Sequence, residues 1–169
     1  MNNLPIWLLD VDGVLNIDDG SAWRSPHKQT TLGGLRIRWA PDLINAIRGL
    51  HEQGMVEIRW STSWCGFPEL LDDLERTLRL PAFERAFGNH NGFFGDLKLA
   101  AARQALIEQR PMIWTDDDEV PAKGSPLHRE LHRPGRSLLI RPHWRSGLTP
   151  AHLERITNFC RKQTLQPVD

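Results

Sequence analysis

Short apolar runs alternate along the chain with longer stretches in which apolar residues recur every three or four positions. Residues 6–9, Ile-Trp-Leu-Leu, form an unbroken apolar run closed by Asp10-Val11-Asp12-Gly13, the pattern of a central parallel strand that is buried on both faces and ends in a turn. Over 41–53, Leu43, Ala46, Ile47 and Leu50 fall at i, i+3, i+4 and i+7 and Gly54 supplies a stop, which predicts a helix. A strand over 56–61 follows almost at once. A second helix opens near Pro68, carries Leu71, Leu74 and Leu78 on one face, and ends at Leu80-Pro81, where proline cannot continue it. Residues 82–87 read as a short strand. A third helix is expected from about Asp96, stacking Leu99, Ala102 and Leu106 ahead of Arg110-Pro111. Residues 112–115, Met-Ile-Trp-Thr, repeat the opening pattern, an apolar run that ends in acids, here Asp116, Asp117, Asp118 and Glu119. A last strand over 137–140 precedes Thr149-Pro150, a hydroxyl cap followed by proline in the first turn, ahead of Leu153, Ile156 and Cys160.

Strand and helix in alternation predict an α/β fold: a three-layer, Rossmann-like domain with a parallel sheet and helices on both faces, spanning 1–169 as one unit. In that architecture ligands sit beyond the carboxyl ends of the strands. One stretch, 17–40, breaks the rhythm. It is rich in Gly, Ser, Thr and His, and Gly33-Gly34 lies between alternating apolar and polar residues in TTLGGLRIRW, so a small β-hairpin flap is expected there rather than a second domain.

Composition narrows the picture only slightly. At 169 residues and 40% hydrophobic content the chain suits one packed domain. The 21 basic and 21 acidic residues cancel, so no overall field announces a nucleic-acid or membrane partner. Cys65 and Cys160 match no metal or redox spacing, no leader-like segment precedes Leu4, and no apolar run approaches the roughly 20 residues that span a bilayer. A cytoplasmic protein without membrane contact is the expectation.

The chemistry gathers at the predicted strand ends: Asp10 and Asp12 after the first, Ser61, Thr62 and Ser63 after the second, Asp116 and Asp117 after the fourth, with Lys98 opening the helix between. Carboxylates placed at the end of a buried strand persist where something positive joins them, and a divalent metal is the obvious candidate. Such a set suits phosphoryl transfer. Mg²⁺ held by the acids relieves the repulsion between a carboxylate nucleophile and a phosphate, while lysine and hydroxyl hold the remaining oxygens. Asp12 is placed to protonate the leaving oxygen and then activate water. Gly13 permits a sharp turn that brings backbone N–H groups toward the phosphate. A lysine in the first turn of a helix opposes the macrodipole, which a bound anion would explain. His143 and Arg145, with Arg141, could reach phosphate or a nucleic-acid backbone. Trp23, Trp39 and Trp64 read as packing residues ahead of base-stacking ones, and Cys65 as a packed thiol.

Four motifs in one order resemble the haloacid dehalogenase (HAD) superfamily of phosphatases: DVDG at 10–13, the strand-ending hydroxyl Thr62 in IRWSTSW, Lys98 in GDLKLAAA, and the acids of IWTDDD. The resemblance implies Asp10 as nucleophile and metal ligand, and Asp12 as acid/base that also offers its backbone carbonyl to the metal. It further implies Thr62 and Lys98 around the phosphate, where the neighbouring Ser63 and the turn at Gly13 are also expected, and Asp117 as direct Mg²⁺ ligand with Asp116 orienting it or a metal-bound water. More narrowly, DVDGVLN, the Thr-Ser-Trp after strand two, RPMIWTDDD and GLTPAHLERI are similar to small bacterial HAD proteins related to the phosphatase-like domain of Swiss army knife RNA-repair proteins. No full cap domain is evident, only the 17–40 flap, and an open site suits a large substrate such as a nucleic-acid end or a phosphoprotein. A calcium loop is excluded by the preceding buried strand, and a response-regulator receiver by the order of its acids, hydroxyl and lysine. Dehalogenases of the fold lack the second aspartate that is present here as Asp12. The competing class is a binding module that keeps fold and metal without turnover.

Overall fold

In a computed structural model that describes residues 4–19, 22–88 and 92–164, the strands are β1 (Ile6–Leu9), β2 (Lys28–Leu32), β3 (Leu35–Trp39), β4 (Glu57–Trp60), β5 (Glu84–Arg85), β6 (Met112–Thr115) and β7 (Ser137–Ile140). The helices are α1 (Pro41–Glu52), α2 (Pro68–Leu78), α3 (Phe94–Ile107), α4 (Pro126–Leu131) and α5 (Pro150–Thr164), with a 3₁₀ turn at Ser63–Gly66. Five strands form one parallel sheet in the order β5-β4-β1-β6-β7.

Alternation along each strand decides which helix it meets. Trp7, Leu9, Ile58, Trp60 and Ile113 share a core with the inner faces of α1, α2 and α5. Ile6, Leu8, Met112 and Trp114 pack instead with Ala101, Ala102 and Ala105 of α3 and Leu131 of α4. Burial of each large apolar side chain contributes about 1.5–3 kcal/mol, and both sheet faces are covered. The chain winds outward from β1 through α1 and α2, then crosses the sheet by α3 and winds the other way through α4. Right-handed crossovers put helices of opposite winding on opposite faces. The reversal falls between β1 and β6, which is where open α/β sheets bind ligands.

The interruption after β1 is a hairpin, as its Gly-Gly step predicts. β2 and β3 pair antiparallel with Leu32 opposite Leu35, and Gly33 and Gly34 between them take φ values of 53° and 82°, the left-handed pair that a two-residue turn requires. Its tip leans on α2, since a Cβ on Gly33 would lie 2.8 Å from Leu70 Cδ1. Its root is tied to the loop after β1 by the Ile17 N–H donating to the Arg38 carbonyl at 2.9 Å.

Three expectations need revision. The third strand is only two residues long rather than spanning 82–87, pairing with β4 at Arg59–Glu84 and Trp60–Arg85 alone. Helix α3 begins at Phe94, two residues ahead of the expected start near Asp96. Helix α4 was not anticipated from its six residues, although Ser125-Pro126 repeats the hydroxyl-then-proline start of α5 and the Ser125 hydroxyl accepts from the His128 N–H at 3.1 Å. Among the described residues, no helix is long and apolar enough to cross a membrane.

Candidate active site

Strand register brings the acids together. Leu9 pairs with Thr115 on the neighbouring strand, so Asp10 and Asp116, each one residue further on, start about 4.8 Å apart. Alternation points both to the face covered by α3, because Ile6, Leu8, Met112 and Trp114 already lie there. Ala101, Ala102 and Ala105 let α3 approach that face closely, and Lys98, one turn earlier on the same stripe, is carried to the carboxyl end of the sheet.

The result is a compact charge cluster. Lys98 Nζ donates to Asp10 Oδ2 at 2.8 Å and to Asp116 Oδ2 at 2.7 Å, and all three side chains are buried. Asp10 Oδ1 also accepts from the Val11 N–H at 2.7 Å. Asp116 Oδ1 accepts from the amides of Asp118 (3.0 Å) and Glu119 (2.8 Å), which fixes the acidic loop around it. Asp117 stands half-buried beside them, and one carboxylate oxygen from each of Asp10, Asp116 and Asp117 lies within 4.8 Å of the others. Gly13 makes room for Asp117. It takes φ 66°, and a Cβ there would sit 2.3 Å from Asp117 Cγ, so any side chain would both strain the backbone and collide.

Three carboxylates share one ammonium, and the electrostatics register the excess. Burial, then the Asp116 charge, push the Asp10 carboxyl up to about 8. The same two causes raise Asp117 and Glu119. For Lys98, burial acts downward but the Asp10 and Asp116 carboxylates outweigh it and hold the ammonium above the ordinary lysine range. Helix α3 starts early enough that Lys98 lies beyond its first turn, so its position answers to the two carboxylates and not to the macrodipole.

Asp12 faces a different way. It is exposed, with Oδ2 accepting from the Trp64 indole N–H at 2.8 Å and Oδ1 from Asn16 Nδ2 at 2.8 Å. Asn16 Oδ1 in turn accepts from the Arg38 N–H of β3 at 2.9 Å. These two partners of Asp12 are absent from the sequence-level reading: Trp64 gave no polar signal, and Asn16 stands out only as the residue four beyond Asp12. Thr62 is fully buried and its Oγ1 accepts from the Trp64 N–H at 3.4 Å, so it caps the 3₁₀ turn at the end of β4. Ser63 begins that turn, half-buried.

The remaining candidates sort by contact. Arg141 donates to the carbonyls of Asp117 (2.9 Å) and Val120 (3.2 Å) and so braces the acidic loop. Trp39 and Trp64 are core residues, and Trp23 donates its indole N–H to the Leu148 carbonyl at 2.9 Å. Cys65 is buried, and burial raises its thiol pKa, the condition of a packed cysteine and not a nucleophile.

No model of a known protein family matches this chain, and no curated protein sequence does.

Proposed function

We propose that the protein is a Mg²⁺-dependent phosphomonoesterase that works through an aspartyl-phosphate on Asp10. The observation that carries this reading is the convergence of the Asp10, Asp116 and Asp117 carboxylates, within 4.8 Å of one another and with Lys98 between two of them, at the switch point of the sheet. The order of the four motifs and their resemblance to HAD phosphatases support it.

The donor set fits magnesium. It consists of hard carboxylate oxygens, it carries more negative charge than Lys98 can balance, and Gly13 leaves open the space that the Asp117 carboxylate needs. Asp10 and Asp117 would be direct ligands, and the Asp12 backbone carbonyl would join them. Asp116, already engaged by Lys98 and two amides, would orient the set. Bound there, the ion supplies charge neutralisation and polarisation of the phosphoryl oxygens.

The chain's own residues then divide the work. Asp10 attacks phosphorus and forms the new P–O bond as the ester P–O bond breaks. Asp12 gives its proton to the departing oxygen, then takes one from the water that cleaves the aspartyl-phosphate, releasing inorganic phosphate and restoring Asp10. Lys98, and the hydroxyl and amide groups of Thr62, Ser63 and Gly13, are assigned to the phosphoryl oxygens. The hairpin is the one insertion into the core among the described residues, and a site without a full cap would suit a large phosphorylated substrate such as a nucleic-acid end or a phosphoprotein. The direct test is hydrolysis of p-nitrophenyl phosphate with and without Mg²⁺: the wild-type protein turns over only with the ion, and Asp10→Asn abolishes the rate. An unchanged rate in Asp10→Asn removes the nucleophile assignment.

A further inference from the structure

The turn after β7 presents an aromatic side chain that the reaction scheme leaves unused. Trp144 is 50% exposed, whereas Trp7, Trp60 and Trp114 are fully buried. It lines one cavity of about 170 Å³ together with Asp12, Gly13, Asn16, Asp18 and Arg36, whose guanidinium pairs with the Asp18 carboxylate at 2.5 Å. Aromatic surface, a guanidinium and the assigned acid/base therefore share a single opening.

Backbone contacts hold this turn rigid. The Asp18 and Asp19 amides donate to the Arg145 carbonyl at 3.0 and 2.7 Å, and the Leu148 amide donates to the Val14 carbonyl at 3.0 Å. The Ser146 and Gly147 amides close the turn on the His143 carbonyl at 3.0 and 2.9 Å. Gly147, at φ 57°, packs so tightly that a Cβ would lie 2.4 Å from both Ile17 Cγ2 and the Val14 carbonyl oxygen. Around the ring, the Arg145 guanidinium carbon is 5.0 Å from the Trp144 centroid, and the His143 ring lies 6.1 Å away, tilted by only 18°.

A half-exposed indole on an anchored turn, with the Arg145 guanidinium against its ring and the cavity lined by Asp12 beside it, matches one ligand chemistry well: a flat aromatic group attached to a negatively charged carrier. Every nucleobase offers a π face for stacking. A phosphopeptide offers none of necessity. Because the backbone of the turn is already anchored, a base that stacks on the indole meets a smaller ordering cost than it would on a free loop.

We propose that Trp144 is the specificity-determining residue of this site, a stacking platform for the base of a phosphorylated terminal nucleotide. The proposal rests on the phosphatase reading for its catalytic consequence and on the turn geometry for binding. The test compares kcat/KM for a 5′-phosphorylated oligonucleotide, the matching nucleoside monophosphate, ribose 5-phosphate and a phosphoserine peptide, in wild type, Trp144→Ala and Trp144→Phe. Affinity for a labelled 5′-phosphorylated oligonucleotide is measured in parallel by fluorescence anisotropy in an Asp10→Asn background, where turnover is removed. In Trp144→Ala the ratio of kcat/KM for the base-bearing substrates to that for ribose 5-phosphate falls roughly tenfold or more, chiefly through KM, and oligonucleotide affinity falls by a similar factor. Trp144→Phe keeps most of both. A loss shared by monophosphate and oligonucleotide supports the terminal base as the stacked group, and a loss confined to the oligonucleotide overturns that assignment. The proposal is overturned if Trp144→Ala lowers all substrates alike, if it leaves anisotropy unchanged, or if the phosphopeptide is the preferred substrate. If no phosphomonoester is hydrolysed, the phosphatase reading fails, and the anisotropy series still decides the platform.

Discussion

The indole N–H is the only donor a tryptophan side chain has, and Trp64 directs it at Asp12 Oδ2 from a buried position. With Asn16 on the other oxygen, Asp12 is aimed and not merely present, and its aim is linked through Asn16 to the backbone of β3. This matters most when the leaving group needs a proton. p-Nitrophenolate departs without one, whereas an alkoxide does not, so Trp64→Phe is expected to lower hydrolysis of a simple alkyl phosphate about 10-fold more than that of p-nitrophenyl phosphate, within the 10²–10⁴-fold that general acid help supplies. A parallel fall in both rates assigns Trp64 to packing alone.

At the scale of elements, α3 performs two tasks on one stripe. Its alanines set the distance to the sheet and Lys98 extends the same stripe into the charge cluster. At its other end Glu108 receives a bidentate pair from Arg59 of β4, at 2.8 and 3.0 Å, and the Arg59 hydrogen bonds hold the Glu108 carboxyl below its ordinary value. A carboxyl depressed in the folded state stabilises the protein above its unfolded value of about 4.3 and loses that contribution as pH falls through the folded value. Glu108→Gln is therefore expected to cost about 1 kcal/mol at neutral pH, and the difference from wild type closes as urea titrations are repeated below about pH 4. A difference that persists in acid points to packing instead of the ion pair.

Much of this arrangement was legible in the amino-acid pattern, for identifiable reasons. Unbroken apolar runs ending in acids mark β1 and β6, because only a doubly covered strand buries four successive side chains. Period-2 alternation then assigns Asp10 and Asp116 to one face. What stayed hidden depends on contacts distant in sequence. Neither the Trp64–Asp12 bond nor the docking of the 143–147 turn on the segment after β1 leaves a local trace. α4 is too short for periodicity to register, and the strand expected over 82–87 is present but shrinks to the two residues of β5.

At the scale of the molecule, the fold serves to hold like charges together. Strand pairing, the cover of α3 and the close approach permitted at Gly13 keep three carboxylates within 4.8 Å, an arrangement that Lys98 balances only in part and that a divalent cation would balance further. Mg²⁺ at about 100 times its dissociation constant is expected to add about 2.7 kcal/mol to stability, a rise in Tm of roughly 5–10 °C for a chain of this size. The rise disappears in Asp117→Asn. A Tm indifferent to Mg²⁺ and to EDTA removes the metal from the account.

The central claim is that Asp10 carries the phosphoryl group, and acid-quenched peptide mass spectrometry tests it most directly. With Asp12→Asn protein, Mg²⁺ and an aryl phosphate, the account predicts one phosphoryl group on the peptide containing Asp10, accumulating because breakdown of the aspartyl-phosphate is slowed. Hydrolysis by the wild-type protein that continues in Asp10→Asn, with no phosphoryl group found on Asp10 in the trapping variant, would contradict it.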